Sequence, residues 1–246
     1  MVWPLEVIVK SSGMRLCWTV PFLIVAALFV PGCPRAEPGS GAGVRGSPTD
    51  MVRVRDFCID RYEMSTVDHR TGSALSPFYP PQPRLLESVV SIWTLERRSV
   101  GDPDARALPL PELPELQRTR RDYAPRAVSR PGVVPQAYLS QPLARLACTN
   151  ARKRLCTEAE WITACRGEQS RKFPYGDQFE AEPCNVYRHV HPAQLLHGAS
   201  WYGHRDPRLN LVTEFDGSPL LRLTGASPRC ASAWQGDRGF DLLGNL

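Results

Sequence analysis

Between residues 51 and 64 (MVRVRDFCIDRYEM) apolar side chains alternate with polar ones at Val52 and Val54, and again at Phe57 and Ile59. A period of two sends successive side chains to opposite faces, so this stretch predicts a half-buried first strand. From Ser76 to about Pro135 proline recurs every few residues, in runs such as PFYPPQP and PLPELPEL. Proline removes the amide hydrogen that helices and ladders use, so a wrapping insertion or long loop is expected, with one short helix from about Leu85 to Glu96. Beyond it, Ser140 can cap a helix reaching about Asn150, with Leu143, Ala144, Ala147 and Cys148 on one face. Thr157 to Glu160 has the form of a capping box that starts a second helix at Glu158. Trp161, Ile162 and Cys165 are its expected apolar face and Gly167 its end. Lys172 to Asp177 (KFPYGD) reads as a turn with two aromatic rings tucked inward, and 189–230 as loops with brief strands.

The amino terminus has a different pattern. Leu16 to Val30 is an uncharged apolar run, shorter than the roughly 20 residues of a bilayer span but suited to the core of a secretory signal. Arg15 precedes it, so Met14 is an alternative start. The run ends in Val30-Pro31-Gly32-Cys33, which resembles a bacterial lipoprotein signal, with Pro31 in place of the usual small residue. The expectation is a signal peptide over 1–32, lipid on Cys33, and a Gly/Pro/Ser-rich tether over 33–50. The rival is an ordinary signal peptide or an uncleaved anchor. A folded domain is expected over 51–246.

Export changes the reading of the cysteines. Setting aside Cys17 in the signal and Cys33, six remain: Cys58, Cys148, Cys156, Cys165, Cys184 and Cys230. An even set in an oxidising compartment favours disulfides, with fifteen possible pairings. Zinc is the weaker alternative, since the sequence holds no Cys-x-x-Cys pair, and buried free thiols are the third. Composition adds little: a net charge of +5 comes from 30 Lys+Arg, of which only Lys10, Lys153 and Lys172 are lysines. The arginines are spread along the chain rather than gathered on one face, so no nucleic-acid partner is expected.

The run RLCTEAEWITACRGE (Arg154 to Glu168), then FPYG (Phe173 to Gly176) and CNVY (Cys184 to Tyr187), resembles the formylglycine-generating enzyme family, the sulfatase-modifying factors. Cys156 stands where that family has proline and Tyr175 where it has tryptophan. Gly239 to Asn245 (GFDLLGN) resembles its Gly-Leu-Tyr-Asp-Met-x-Gly-Asn segment, and FCIDRYE (Phe57 to Glu63) its opening strand. The resemblance covers 51–246, weakly across 80–135. It implies an α+β, loop-rich fold related to C-type lectins. In active members it implies copper-dependent oxidation by O2 of a substrate cysteine to formylglycine, which needs soft thiolate ligands. Those thiolates lie carboxy-terminal to the Gly-Asn motif, so the expectation is a domain incomplete at its carboxyl end, with no catalytic residue in this chain. The expected role is then a binding module of the cell envelope, anchored by lipid on the periplasmic or surface side. Its expected partner is an envelope protein or a glycan. The alternative is a fragment of the copper oxidase.

The same resemblance implies calcium held partly by Asn185 and the carbonyl of Val186; the rival is Asn185 bonding within its own turn. Four of the five histidines, His189, His191, His197 and His204, fall within a short stretch, but no predicted element fixes them, so ordinary loop histidines are expected rather than a metal site. Asp60, Arg61 and Glu63 are expected to form a structural ion pair. Ser200 and Ser227 lie in no nucleophile pattern.

Overall fold

The computed structural model describes residues 50–186, 191–198, 205–213 and 217–245. The expected signal, the tether up to residue 49, Cys17, Cys33, His189, His204 and Ser200 therefore lie outside the described residues. The first segment is a hairpin rather than one strand: β1 (Met51–Val54) pairs antiparallel with β2 (Phe57–Asp60), Val54 opposite Phe57. The shift in apolar phase between Val54 and Phe57 marks the turn, and Arg55 takes the positive φ of 53° that such a two-residue connection requires. Val52, Val54 and Ile59 face inward, where they meet Ala164, Trp234 and Leu242.

Ala164 and Trp234 come from two other elements, and Leu242 follows the second. Helix α5 (Glu158–Arg166) starts at the expected capping box: the Thr157 hydroxyl accepts from the Glu160 amide at 3.2 Å, and the Glu160 carboxylate accepts from the Thr157 amide at 2.8 Å. Its buried residue is Ala164, whereas Trp161 and Ile162 are each 45% exposed, so the expected apolar face is corrected. A small residue is needed there because the hairpin of β5 (Ala231–Trp234) and β6 (Asp237–Phe240) packs directly against the helix, and the Trp234 indole donates to the Ala164 carbonyl at 3.1 Å.

The proline-rich stretch is more structured than expected. Helix α1 (Pro83–Glu96) lies where predicted, with Pro83 in its first turn. Two short helices follow, α2 (Pro103–Ala107) and α3 (Glu115–Thr119). Strand β4 (Pro125–Ser129) then returns to pair with β3 (Met64–Asp68), and helix α4 (Gln141–Asn150) packs on it. The insertion has its own core of Leu75, Tyr79, Leu86 and Tyr123. Backbone groups in so proline-rich a segment find few backbone partners, and buried amide side chains take their place. The Gln136 amide nitrogen donates to the carbonyls of Tyr79 and Ala137, both at 2.9 Å, and the Gln117 carbonyl oxygen accepts from the Ser76 amide at 2.6 Å.

A third core joins α2 to α6 (Pro192–His197), through Ala105, Ala193, Leu196, Leu209, Val212 and Leu220. At its centre the Arg208 guanidinium clasps the Asp206 carboxylate at 2.7–3.1 Å, and His197 Nε2 meets the same carboxylate at 2.7 Å. All three side chains are fully buried. The Trp93 ring lies 5.9 Å from the guanidinium and 5.7 Å from the imidazole. The assembly is α+β: three two-stranded antiparallel sheets among the described residues, short helices, and long connections.

Candidate functional site

The carboxyl end of the described chain closes over Asn185. Gly244, at φ 77°, lies so near that a Cβ there would fall 2.4 Å from the Val186 side chain and 2.8 Å from the Asn185 carbonyl. Only glycine permits this approach, which gives the Gly-Asn pair of the sequence a physical reason. Asn245 then bonds back: its amide donates to the Asn185 carbonyl at 3.1 Å, and its side-chain oxygen accepts from Asn185 Nδ2 at 2.8 Å. Asn185 Nδ2 also donates to the Leu220 carbonyl at 2.9 Å. These bonds are long-range, so Asn185 does not serve its own turn. Its Oδ1 is buried without a hydrogen-bond partner, an unpaired hard oxygen of the kind calcium takes. Val186 stands beside it at the surface.

Asn245 also donates to the Glu63 carboxylate. Burial pushes this carboxyl up to about 7; the Asn245 bond opposes the shift and the Asp241 charge adds to it. The expected ion pair among Asp60, Arg61 and Glu63 is replaced by three separate contacts. Asp60 pairs with Lys153, Arg61 with Asp237 at 2.9 Å, and Glu63 with Asn245.

Of the six cysteines, Cys184 and Cys230 are joined, with Cα atoms 4.8 Å apart, so the segment carrying Asn185 is tied to the start of β5. Cys58 is disulfide-bonded as well. Cys148, Cys156 and Cys165 are free thiols, which departs from the expected full set of bridges. Cys165 packs against the hairpin core, and burial raises its thiol. The Cys148 thiol is raised by burial and by the Asp60 charge, with Lys153 opposing. Cys156 is exposed at its outer edge, yet desolvation and then the Glu160 charge raise it, against Arg154.

The described histidines are not the loop residues expected: His191 caps α6, its Nδ1 accepting from the Ala193 amide at 3.1 Å, and His197 ends that helix, buried against Asp206. Ser227 accepts from Arg222 at 3.0 Å and has no nucleophilic setting.

A second feature was not visible in the sequence. The end of α5, the Phe173–Gly176 turn and the β5–β6 hairpin enclose an open-sided cleft of about 360 Å³. Arg166, Arg171, Arg229 and Arg238 line it, with Glu168 as its one lining carboxylate and Tyr175 on a wall. Arg171 is braced from Nε to the Gln169 side-chain oxygen at 2.8 Å, and Arg238 from Nη2 to the Pro228 carbonyl at 2.6 Å. Arg229 pairs with Glu180. Among the described residues no carboxylate pairs with Arg166, Arg171 or Arg238. No local signal announces the cleft, because its arginines come from two segments some sixty residues apart that meet only when the hairpin packs on α5.

The sulfatase-modifying factor enzyme 1-like domain matches residues 25–207, well over half of the chain. The chain belongs to this family. The matched stretch holds the RLCTEAEW run, the FPYG turn and Asn185, while the β5–β6 hairpin and Gly244-Asn245 lie beyond it. No match was found among curated proteins or among solved structures. The family and the loop-rich α+β fold are those expected from the sequence motifs.

Proposed function

We propose that this member of the sulfatase-modifying factor family is an exported protein, lipid-anchored at Cys33 in the bacterial cell envelope, and that it works as a binding module rather than as an oxidase. The observation that carries the reading is the arginine-lined cleft, an open-sided recess with no thiol in its wall. The copper-oxidase reading makes the opposite prediction of turnover. Immobilised protein should retain a saturable envelope component while leaving a cysteine peptide unoxidised in the presence of Cu(I) and O2; formation of an aldehyde product would hand the function to the oxidase reading.

Calcium belongs to the same proposal. Asn185 Oδ1, buried and unpaired, supports a role as one ligand, with the neighbouring Val186 carbonyl as a second. The ion would join the Asn185 segment to the loops that close on it. Added calcium should raise the melting temperature of the wild-type chain and leave Asn185→Ala unmoved; equal shifts in both would reject the site. For the anchor, labelled palmitate should enter the wild-type chain and not Cys33→Ala, and equal labelling would reject it.

A further inference from the structure

The cleft at the end of α5 carries a more specific reading, which rests on the binding-module proposal. Its walls present guanidinium groups in excess of carboxylates: four arginines against Glu168, with Glu180 engaged by Arg229 from outside the wall. Arg166 uses Nε to bond the Arg171 carbonyl at 3.1 Å. Arg238 uses Nη2 and rests over the Phe240 ring at 5.4 Å. Both guanidiniums are thus held in place with further N–H groups left over, the fork geometry that matches a planar or tetrahedral oxyanion. Such groups on a surface where positive charge predominates attract an anion and orient it.

The walls also indicate what carries the anion. Three of the lining backbone amides are already used: Gly167 to the Ala164 carbonyl at 3.3 Å, Glu168 to Ala233 at 3.0 Å, and Arg171 to Arg166 at 2.9 Å. An extended peptide, which needs main-chain partners, finds none of these three free. One aromatic ring, Tyr175, lines the cleft, and two more extend from it beyond the wall. Phe173 and Tyr175 stack with centroids 5.3 Å apart and planes 4° from parallel, and Phe179 leans edge-on to Phe173 at 5.9 Å while 61% exposed. An aromatic cluster that reaches from the cleft wall at Tyr175 to the exposed Phe179 suits a ligand with an apolar C–H face and an acidic edge, the chemistry of an acidic sugar. We infer that this cleft binds a saccharide bearing carboxylate or sulfate groups, the arginines taking the oxyanions and the Phe173–Tyr175–Phe179 shelf taking the ring.

The test uses the whole chain and four probes of matched length: a sulfated oligosaccharide, an oligouronate, a neutral oligosaccharide and oligoglutamate. Wild-type protein should bind one or both acidic saccharides saturably, and which of them binds identifies the oxyanion. Arg166→Gln/Arg238→Gln should weaken that binding by about tenfold or more, and Arg→Lys at both sites should restore only part of it, since lysine keeps the charge but not the fork. Phe179→Ala should weaken the saccharide while leaving inorganic sulfate unchanged. Both arginines are exposed, so these variants leave the core intact. Unchanged affinity in the double variant, oligoglutamate binding as tight as either saccharide, or no binding of either acid would overturn the inference. Saturable capture of some other envelope component would then leave the module reading standing, whereas thiol oxidation would remove that reading whatever the cleft binds.

Discussion

Replacing Asp206 with asparagine tests the third core in a way that burial makes severe. The carboxylate is fully enclosed, takes three guanidinium contacts from Arg208 at 2.7–3.1 Å and one from His197 at 2.7 Å. Asparagine keeps the shape but removes the charge, and turns an NH2 toward groups that are themselves donors. Arg208, also fully buried, is then left without a counter-charge, a change that typically costs about 3–5 kcal/mol. The exposed Arg154–Glu160 pair sets the contrast, since breaking such surface pairs costs about 0–1 kcal/mol. Urea denaturation of the whole chain, followed by tryptophan fluorescence, reads the difference, because Trp93 packs on the cluster. The double change Asp206→Leu/Arg208→Met should recover much of the loss, since a hydrophobic replacement of both partners is often neutral. A cost below about 1 kcal/mol for Asp206→Asn at unchanged denaturant slope would refute the reasoning.

Three further outcomes follow from particular contacts. Glu63 has its folded carboxyl raised to about 7, so the folded state holds a proton the unfolded chain releases near its ordinary value of 4.5. Stability is therefore fully present below pH 4.5 and falls as pH rises through 7, by roughly 2–3 kcal/mol after allowing for the remaining solvent contact. With a calcium chelator present, Glu63→Gln should flatten that slope, and an unchanged pH profile would count against it. Thr157→Ala should cost about 1 kcal/mol in thermal denaturation, since it removes the hydroxyl that accepts from the Glu160 amide. Cys230→Ser opens a bridge closing a 46-residue separation, and should lower stability in oxidising buffer by about 2–4 kcal/mol while leaving it unchanged under reducing conditions.

The parts of the structure that were legible in the sequence are those fixed by neighbours in the chain. The capping box at Thr157 is local chemistry, and α1 and α4 follow from apolar spacing. The break in alternation between Val54 and Phe57 already held the hairpin turn, though a continuous strand was the simpler reading. Strand β4 was hidden because Pro125 opens it inside a proline-rich run, where its pairing with β3 overrides local preference. Helix α6 was hidden among the histidines, although Pro192 in its first turn and Gly198 at its end were available signals. The site followed the same division. Asn185 and the Gly244-Asn245 pair were found by motif, but the unpaired Oδ1 and the raised Glu63 depend on burial by segments distant in the chain. Disulfide pairing and the convergence of four arginines are tertiary facts with no local pattern behind them.

Mass spectrometry of a cysteine peptide incubated with the purified chain, Cu(I) and O2 separates a binding module from an oxidase most directly. A binding module returns the thiol peptide unchanged over many enzyme equivalents. Repeated conversion of its cysteine to formylglycine would contradict that function.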